Sequence, residues 1–196
     1  MKLYVARHGQ TDYNRQKKFY GAADVSLNET GLADANRLAV KCQGLSLGLT
    51  AISDLKRARQ TARLIIKQHP NSRIQQFTQL EELHFGAWEG LDADEIQQKY
   101  PLDWQRWLED PFGVPPTNGE NFQDFRVRVL SALEKILVGS ASNDEVLVIA
   151  HLGVLRVINQ FFFPETAFWQ PKFVAGTYSV YEVDENGACV GVTYEV

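Results

Sequence analysis

Two histidines stand where chemistry could be done. His8 follows the run Lys2-Leu3-Tyr4-Val5-Ala6-Arg7, and His151 follows Val146-Leu147-Val148-Ile149-Ala150. Each apolar run reads as a short buried strand, so each histidine sits where a strand leaves its sheet. A neutral, oriented imidazole is a nucleophile toward phosphorus. Arg7 is costly to bury there without an anion, and Gly9 lets the main chain approach a ligand closely. A third segment, Ser53-Asp54-Leu55-Lys56-Arg57-Ala58-Arg59, follows another apolar stretch and places Arg57 in the first turns of a helix. Helix starts and guanidinium groups both favour phosphate. Two such groups can neutralise transferring oxygens without a metal. What remains to be supplied is a proton donor for the leaving oxygen. Leu80-Glu81-Glu82-Leu83-His84-Phe85-Gly86 offers a carboxylate, Glu81 or Glu82, which has to be protonated in the working state. The chain has four histidines, at 8, 69, 84 and 151. Any one alone is more readily structural than catalytic; the neighbours raise His8 and His151.

The elements that must position these groups are legible from periodicity. Helical spacing of Leu32, Ala35, Ala39 and Cys42 predicts a helix over 30–41. A short strand over 50–53 follows, with Ser53 as the N-cap of a helix running to Lys67, its apolar face Leu55, Ala58, Ala62 and Ile65. Pro70 stops it, and 73–77 reads as a strand. Phe122, Phe125, Val129, Leu133 and Ile136 predict a helix over 121–138. Another helix runs from about Val154 to Phe162 and ends at Pro164. Two terminal strands, 178–183 and 188–194, bracket Asn186-Gly187, a hairpin turn signal. Strands alternating with helices imply an α/β fold, a mostly parallel sheet with helices on both faces and a C-terminal hairpin. Ligands in such sheets bind beyond the carboxyl ends of the strands, which delivers both histidines to one rim. The stretch of about 91–119 breaks the rhythm: it is acidic, aromatic (Trp104, Trp107, Phe112) and carries Pro115-Pro116. It reads as a small, partly helical insert covering the site.

At 196 residues the chain is one domain with an insert. Hydrophobic residues are 44% and charged residues 22%, which excludes disordered, collagenous and disulfide-scaffold classes. No apolar run approaches the roughly 18 residues that span a bilayer. The apolar stretch at the N-terminus is too short for a signal peptide, so cytoplasm is the compartment implied. A net charge of −4, with basic clusters only at Arg15–Lys18 and Lys56–Arg59, argues against a nucleic-acid partner. Cys42 and Cys189 have no motif spacing and read as reduced and buried. No His-Glu-x-x-His or clustered His/Asp set implies a metal or other cofactor, and no Gly-x4-Gly-Lys-Ser/Thr implies a P-loop. No Cys-x5-Arg loop is present either. Gly44-Leu45-Ser46-Leu47-Gly48 matches the nucleophile elbow of serine esterases, but that elbow needs a strand before and a helix after, and here the order is reversed.

Five motifs, in order, resemble the histidine phosphatase superfamily, in its phosphoglycerate-mutase-like branch. They are Arg7-His8-Gly9-Gln10-Thr11-Asp12-Tyr13-Asn14; Gly21 to Gly31; Ser53 to Ala62; Leu80-x-Glu82-x-x-Phe85-Gly86; and Val148-Ile149-Ala150-His151-Leu152-Gly153-Val154. The pattern departs at Gln10, where the family usually has Glu, and at Leu152, where it commonly has Gly. The resemblance implies a nucleophilic His8 that forms a phosphohistidine, phosphoryl oxygens held by Arg7, Asn14, Arg57 and His151, and Glu82 as the acid that later activates water. It implies no divalent metal and a small phosphate ester as partner, and it leaves a homodimer open. A short insert favours a phosphatase over a mutase. A narrower resemblance, through Pro116-Thr117-Asn118-Gly119-Glu120-Asn121-Phe122-Gln123, is to the alpha-ribazole phosphatases of cobalamin synthesis. Removal of the 5'-phosphate of alpha-ribazole phosphate is the activity it implies. The alternatives are a broad or sugar-phosphate phosphatase or a phosphoglycerate mutase of the same family, and more distantly a serine esterase. Trp104, Trp107 and Phe112 could stack on a base, but aromatics in a small lid more often form its own core.

Overall fold

The computed structural model describes residues 1–140 and 144–194. Six strands form one sheet in the order β3-β2-β4-β1-β5-β6. These are β1 (Lys2–Arg7), β2 (Leu47–Ser53), β3 (Arg73–Phe77), β4 (Glu145–Ala150), β5 (Ser179–Val183) and β6 (Cys189–Thr193). The first four in space are mutually parallel, and β5 and β6 add an antiparallel edge. The hairpin between them turns at Gly187, whose φ of +81° suits glycine. The helices are α1 (Asp12–Arg15), α2 (Glu29–Cys42), α3 (Lys56–Gln68), α4 (Ala93–Lys99), α5 (Pro101–Glu109), α6 (Phe122–Val138) and α7 (Leu152–Phe162).

Between their charged end residues the central strands β1 and β4 are made of Leu, Tyr, Val, Ile and Ala, because both their faces are covered. Leu3, Val5, Val146 and Val148 pack against Phe125, Val129 and Leu133 of α6 and Leu155 and Ile158 of α7. Tyr4, Ala6, Leu147 and Ile149 face the other way, onto Leu38 and Ala39 of α2 and Ala58, Ala62 and Ile65 of α3. Each such Leu, Ile or Val contributes about 1.5–3 kcal/mol by leaving water. This is the α/β, mostly parallel arrangement with helices on both faces that the alternation of elements implies. Among the described residues, no helix is long and apolar enough to cross a membrane.

Several local expectations are corrected. Ser53 does not cap α3: it ends β2, and the N-cap is Leu55, with no side-chain cap. β2 begins at Leu47 rather than Thr50, and α7 begins at Leu152 rather than near Val154. Leu32 is half-exposed, and Leu38 takes the buried place on α2. Cys42 is buried but Cys189 only partly so, and both are free thiols. Ser46 is exposed in the loop from α2 to β2, a helix-to-strand connection, so no nucleophile elbow exists there.

The stretch 91–119 carries α4 and α5. Trp88, Ile96 and Trp104 form a separate small core, with Phe19, Phe85 and Trp107 packed on it. Trp104 and Trp107 stack on each other at 5.4 Å. Lys18, bonded to Glu95 at 2.5 Å, ties this unit to the loop after α1.

Candidate active site

The parallel register of β1 on β4 pairs Arg7 with Ala150. One step further the ladder continues as the His8 N–H donating to the Ala150 carbonyl at 3.0 Å. His8 and His151 are thereby neighbours, with ring centroids 5.0 Å apart. The two strand ends thus deliver both imidazoles to one point.

The hydrogen bonds fix each ring's tautomer. His8 Nδ1 lies 2.7 Å from the Gly9 carbonyl oxygen, which can only accept, so Nδ1 carries the proton and Nε2 keeps a free lone pair. Burial, followed by the charges of Arg57 and Arg7, pushes the His8 imidazole well below its ordinary range. His151 is lowered in the same way, by burial first and then by Arg57 and His8. Its Nδ1 accepts from Arg57 Nε at 3.2 Å, so its Nε2–H points to Ser53 Oγ at 2.7 Å. Ser53, read from sequence as a cap, is instead the residue that holds His151.

Arg57, in the first turn of α3, is fully buried. Beyond the bond to His151, its Nη1 donates to the Ala23 carbonyl at 2.8 Å and its Nη2 to the Gly21 carbonyl at 2.9 Å. Two of its five N–H groups remain for an anion. Its guanidinium lies 4.7 Å from the centre of the Tyr20 ring. The loop that offers these carbonyls is itself pinned: Glu89 accepts from the main-chain N–H groups of Gly21, Ala22 and Ala23. Arg7 is half-buried, and its side chain has no hydrogen bond or ion pair among the described residues. Asn14 sits in the last turn of α1. Its Oδ1 is engaged by the Thr11 N–H at 3.1 Å, which leaves its NH2 for a ligand.

Glu82 lies on the loop after β3. Its Oε2 accepts from the Gly153 N–H, in the first turn of α7, at 2.9 Å, and its Oε1 from the Leu83 N–H at 3.0 Å. Glu81 turns away toward His84. Between these groups lies a pocket of about 250 Å³ walled by Arg7, His8, Asn14, Tyr20, Arg57 and Glu82, with Lys17 and Lys18 at its border. His151 stands behind His8 rather than in the wall. The arrangement offers a bare imidazole nitrogen, two guanidinium groups and a carboxylate around a space of phosphate-ester size. Among the described residues no group of three His, Cys, Asp or Glu side chains could hold a metal ion.

Sequence reasoning missed Tyr20, Glu89 and Arg128. Arg128, on α6, bonds the carbonyls of Gln79, Glu81 and Glu82 and pairs with Glu120. Glu89 and Arg128 act on main chain far away in sequence, and Tyr20 acts through its ring under Arg57 and its hydroxyl on Thr11, so no local spacing gives their roles.

Residues 3–194 match the model of the histidine phosphatase superfamily, branch 1. The chain is 31% identical over 196 residues to the adenosylcobalamin/alpha-ribazole phosphatase of Escherichia coli strain K12, covering 98% of this chain and 95% of that one. A 2,3-bisphosphoglycerate-dependent phosphoglycerate mutase of Methylorubrum populi is 32% identical over 165 residues, 80% of this chain and 76% of its own. The solved alpha-ribazole phosphatase of Shigella flexneri superposes with a TM-score of 0.89 at 26% identity, covering 100% of this chain and 95% of the other. With the family model spanning nearly its whole length, and with the sheet and the paired strand ends described above, this chain belongs to the histidine phosphatase superfamily, branch 1.

Proposed function

We propose that the protein hydrolyses phosphate monoesters through a phosphohistidine on His8, and that its substrate is alpha-ribazole 5'-phosphate. The carrying observation is the His8 Nδ1–H bond to the Gly9 carbonyl, which leaves Nε2 unprotonated in a pocket flanked by Arg7 and Arg57. The His8 Nε2 lone pair attacks phosphorus and the P–O ester bond breaks. The leaving oxygen takes its proton from the Glu82 carboxyl group. The Gly9 carbonyl stabilises the charge that develops on the ring. Arg7, Arg57 and the Asn14 amide hold the phosphoryl oxygens, and the His151 Nε2–H joins them by turning from Ser53 Oγ, which it meets at 2.7 Å without a ligand. Water then attacks phosphorus, the Glu82 carboxylate takes its proton, and the P–N bond breaks to release inorganic phosphate and restore His8. Positive charge comes from side chains, so turnover survives exhaustive chelation in this reading. Residues 1–196 form one domain, with 91–119 as its lid.

The alpha-ribazole assignment is supported by likeness over nearly the full length to proteins named for that activity. The test is a quenched reaction with a labelled ester. An acid-labile, base-stable phosphoryl group should be trapped on the peptide holding His8. Label on serine or cysteine, or full turnover with none, overturns the mechanism. A higher kcat/KM on 3-phosphoglycerate or simple sugar phosphates than on alpha-ribazole 5'-phosphate overturns the substrate.

A further inference from the structure

When the His8 Nε2 bonds phosphorus the ring becomes cationic, and the proton on Nδ1 stays where it is. The Gly9 carbonyl that accepts this proton belongs to the peptide unit between Gly9 and Gln10. The N–H of that same unit donates to Asp34 Oδ2, on α2, at 3.0 Å. The bonds therefore form one chain: His8 Nδ1–H to the Gly9 oxygen at 2.7 Å, across a single amide, then from the Gln10 nitrogen to a carboxylate. We infer that Asp34 is a positioning residue for the nucleophile, acting through this peptide to hold the His8 proton on Nδ1 and to stabilise the cationic ring. The inference rests on the phosphohistidine reading above.

Resonance links the donor and the acceptor of an amide. An anion bonded to its N–H shifts electron density onto its oxygen, which then accepts more strongly. Asp34 is buried, so its charge acts on the peptide with little screening by water. Helix α2 comes this close because glycines face each other. A Cβ on Gly9 would run into the Gly31 carbonyl, and one on Gly31 into the Gln10 carbonyl. The flanking groups are pinned as well. The Gly9 N–H donates to Thr61 Oγ1 at 3.0 Å, and the Gln10 carbonyl accepts from the Asn28 N–H at 3.0 Å. The amide is thus held facing His8 on one side and Asp34 on the other. Burial, Arg57 and Arg7 all oppose a positive charge on His8, and the Gly9 carbonyl favours one. A carboxylate behind that carbonyl strengthens the favourable side. Asp34 Oδ1 also pairs with Arg37, but the Arg37 side chain is 57% exposed and solvent screens it.

The test is rapid-quench kinetics on the full chain with an aryl phosphate, timing formation and hydrolysis of the phosphoenzyme separately. Asp34→Asn keeps an oxygen for the Gln10 N–H and removes the charge. Where a carboxylate bonds a catalytic imidazole directly, the same change costs about 10⁴ in kcat; with a peptide between them, phosphorylation should slow about tenfold. Hydrolysis should be unchanged or faster, because a less stabilised cationic ring leaves phosphorus more readily. Arg37→Met breaks only the exposed pair and should leave both steps within about twofold of wild type. A second measurement needs no turnover. In protein labelled with ¹⁵N-histidine, the His8 Nδ1 proton is identified by its loss in His8→Gln. Its resonance should move upfield in Asp34→Asn and in Asp34→Ser, a smaller neutral change. Equal slowing of both steps, phosphorylation at the wild-type rate, Arg37→Met as slow as Asp34→Asn, or a proton unmoved in both variants overturns the role of Asp34. If the wild type forms no phosphohistidine, the phosphatase reading falls, and the proton resonance still decides whether Asp34 holds the His8 tautomer.

Discussion

Arg128 holds Glu82 by its main chain: the Arg128 Nη2 donates to the Glu82 carbonyl at 2.9 Å. The same guanidinium bonds the carbonyls of Gln79 and Glu81 and makes a two-point pair with Glu120 at 2.6 and 2.8 Å. Glu120 in turn accepts from the His84 N–H. The loop that carries the acid is therefore shaped from α6. Arg128→Met strands three carbonyls and leaves Glu120 partly buried without its partner. It should destabilise the fold by about 3 kcal/mol in urea unfolding. It should also lower kcat on an alkyl phosphate more than on an aryl phosphate, since a displaced acid matters most for a poor leaving group.

Glu82→Gln keeps the shape of the acid and removes its proton. On an alkyl phosphate kcat should fall by about 10²- to 10⁴-fold, the usual worth of general acid catalysis. Phosphoenzyme formation from an aryl ester should fall less, while its hydrolysis suffers because the same group activates water. Glu81→Gln should stay near wild type, since Glu81 faces His84 and not the pocket. Single-turnover rates on both esters check this; a crippled Glu81→Gln beside a healthy Glu82→Gln would reverse the assignment.

Gly153 tests the same carboxylate from the other side. A methyl group there would collide with Glu82 Oε1. Gly153→Ala should push Glu82 out of place and cost roughly 10²-fold in kcat on alkyl phosphates. The effect on aryl esters should be smaller, and the thermal midpoint should move by only a few degrees. Equal losses on both ester types would show that the glycine matters for something other than the acid.

Stability should depend on pH in a defined window. The folded protein holds His8 and His151 below their ordinary range, while the unfolded chain returns them to about 6.5. Above that value both states are neutral and stability is at its full level. Below it the unfolded chain binds more protons, so stability falls as pH drops toward the folded values. The slope is up to about 1.4 kcal/mol per pH unit for each histidine. Urea unfolding at pH 7.5, 6 and 5 should show this decline, and His151→Gln should reduce it. A flat profile over that range contradicts neutral, buried imidazoles.

Much of this was legible in the sequence, for a physical reason. Strands buried on both faces must be apolar throughout, so Lys2–Ala6 and Val146–Ala150 announce themselves, and so do the polar residues at their ends. The long helices show because their buried faces repeat every three or four residues. What escaped reading acts by contact across the fold. Ser53 looked like a cap because serine caps helices, yet the hydroxyl is used on a histidine 98 residues away. α1 is only four residues long and is held by a capping box between Thr11 and Asn14, too little for periodicity to detect. Glycine at 48 hid the start of β2, and glycine at 153 hid the start of α7. The choice between Glu81 and Glu82 needed the loop's path, which Arg128 sets from 46 residues beyond Glu82.

The pairing of β1 with β4 also bears on synthesis and folding. β1 leaves the ribosome well before its parallel partner, since Lys2 pairs with Glu145. Parallel contacts of such sequence separation close slowly, because a long loop must be ordered before they form. Until β4 docks, His8 has no neighbouring imidazole, Arg57 has no Nδ1 to hold, and Glu82 lacks the α7 N–H that receives it. A growing chain thus carries His8 without the groups that position it until β4 has been made. The site is assembled only when β4 enters the sheet between β2 and β1 and α7 follows it.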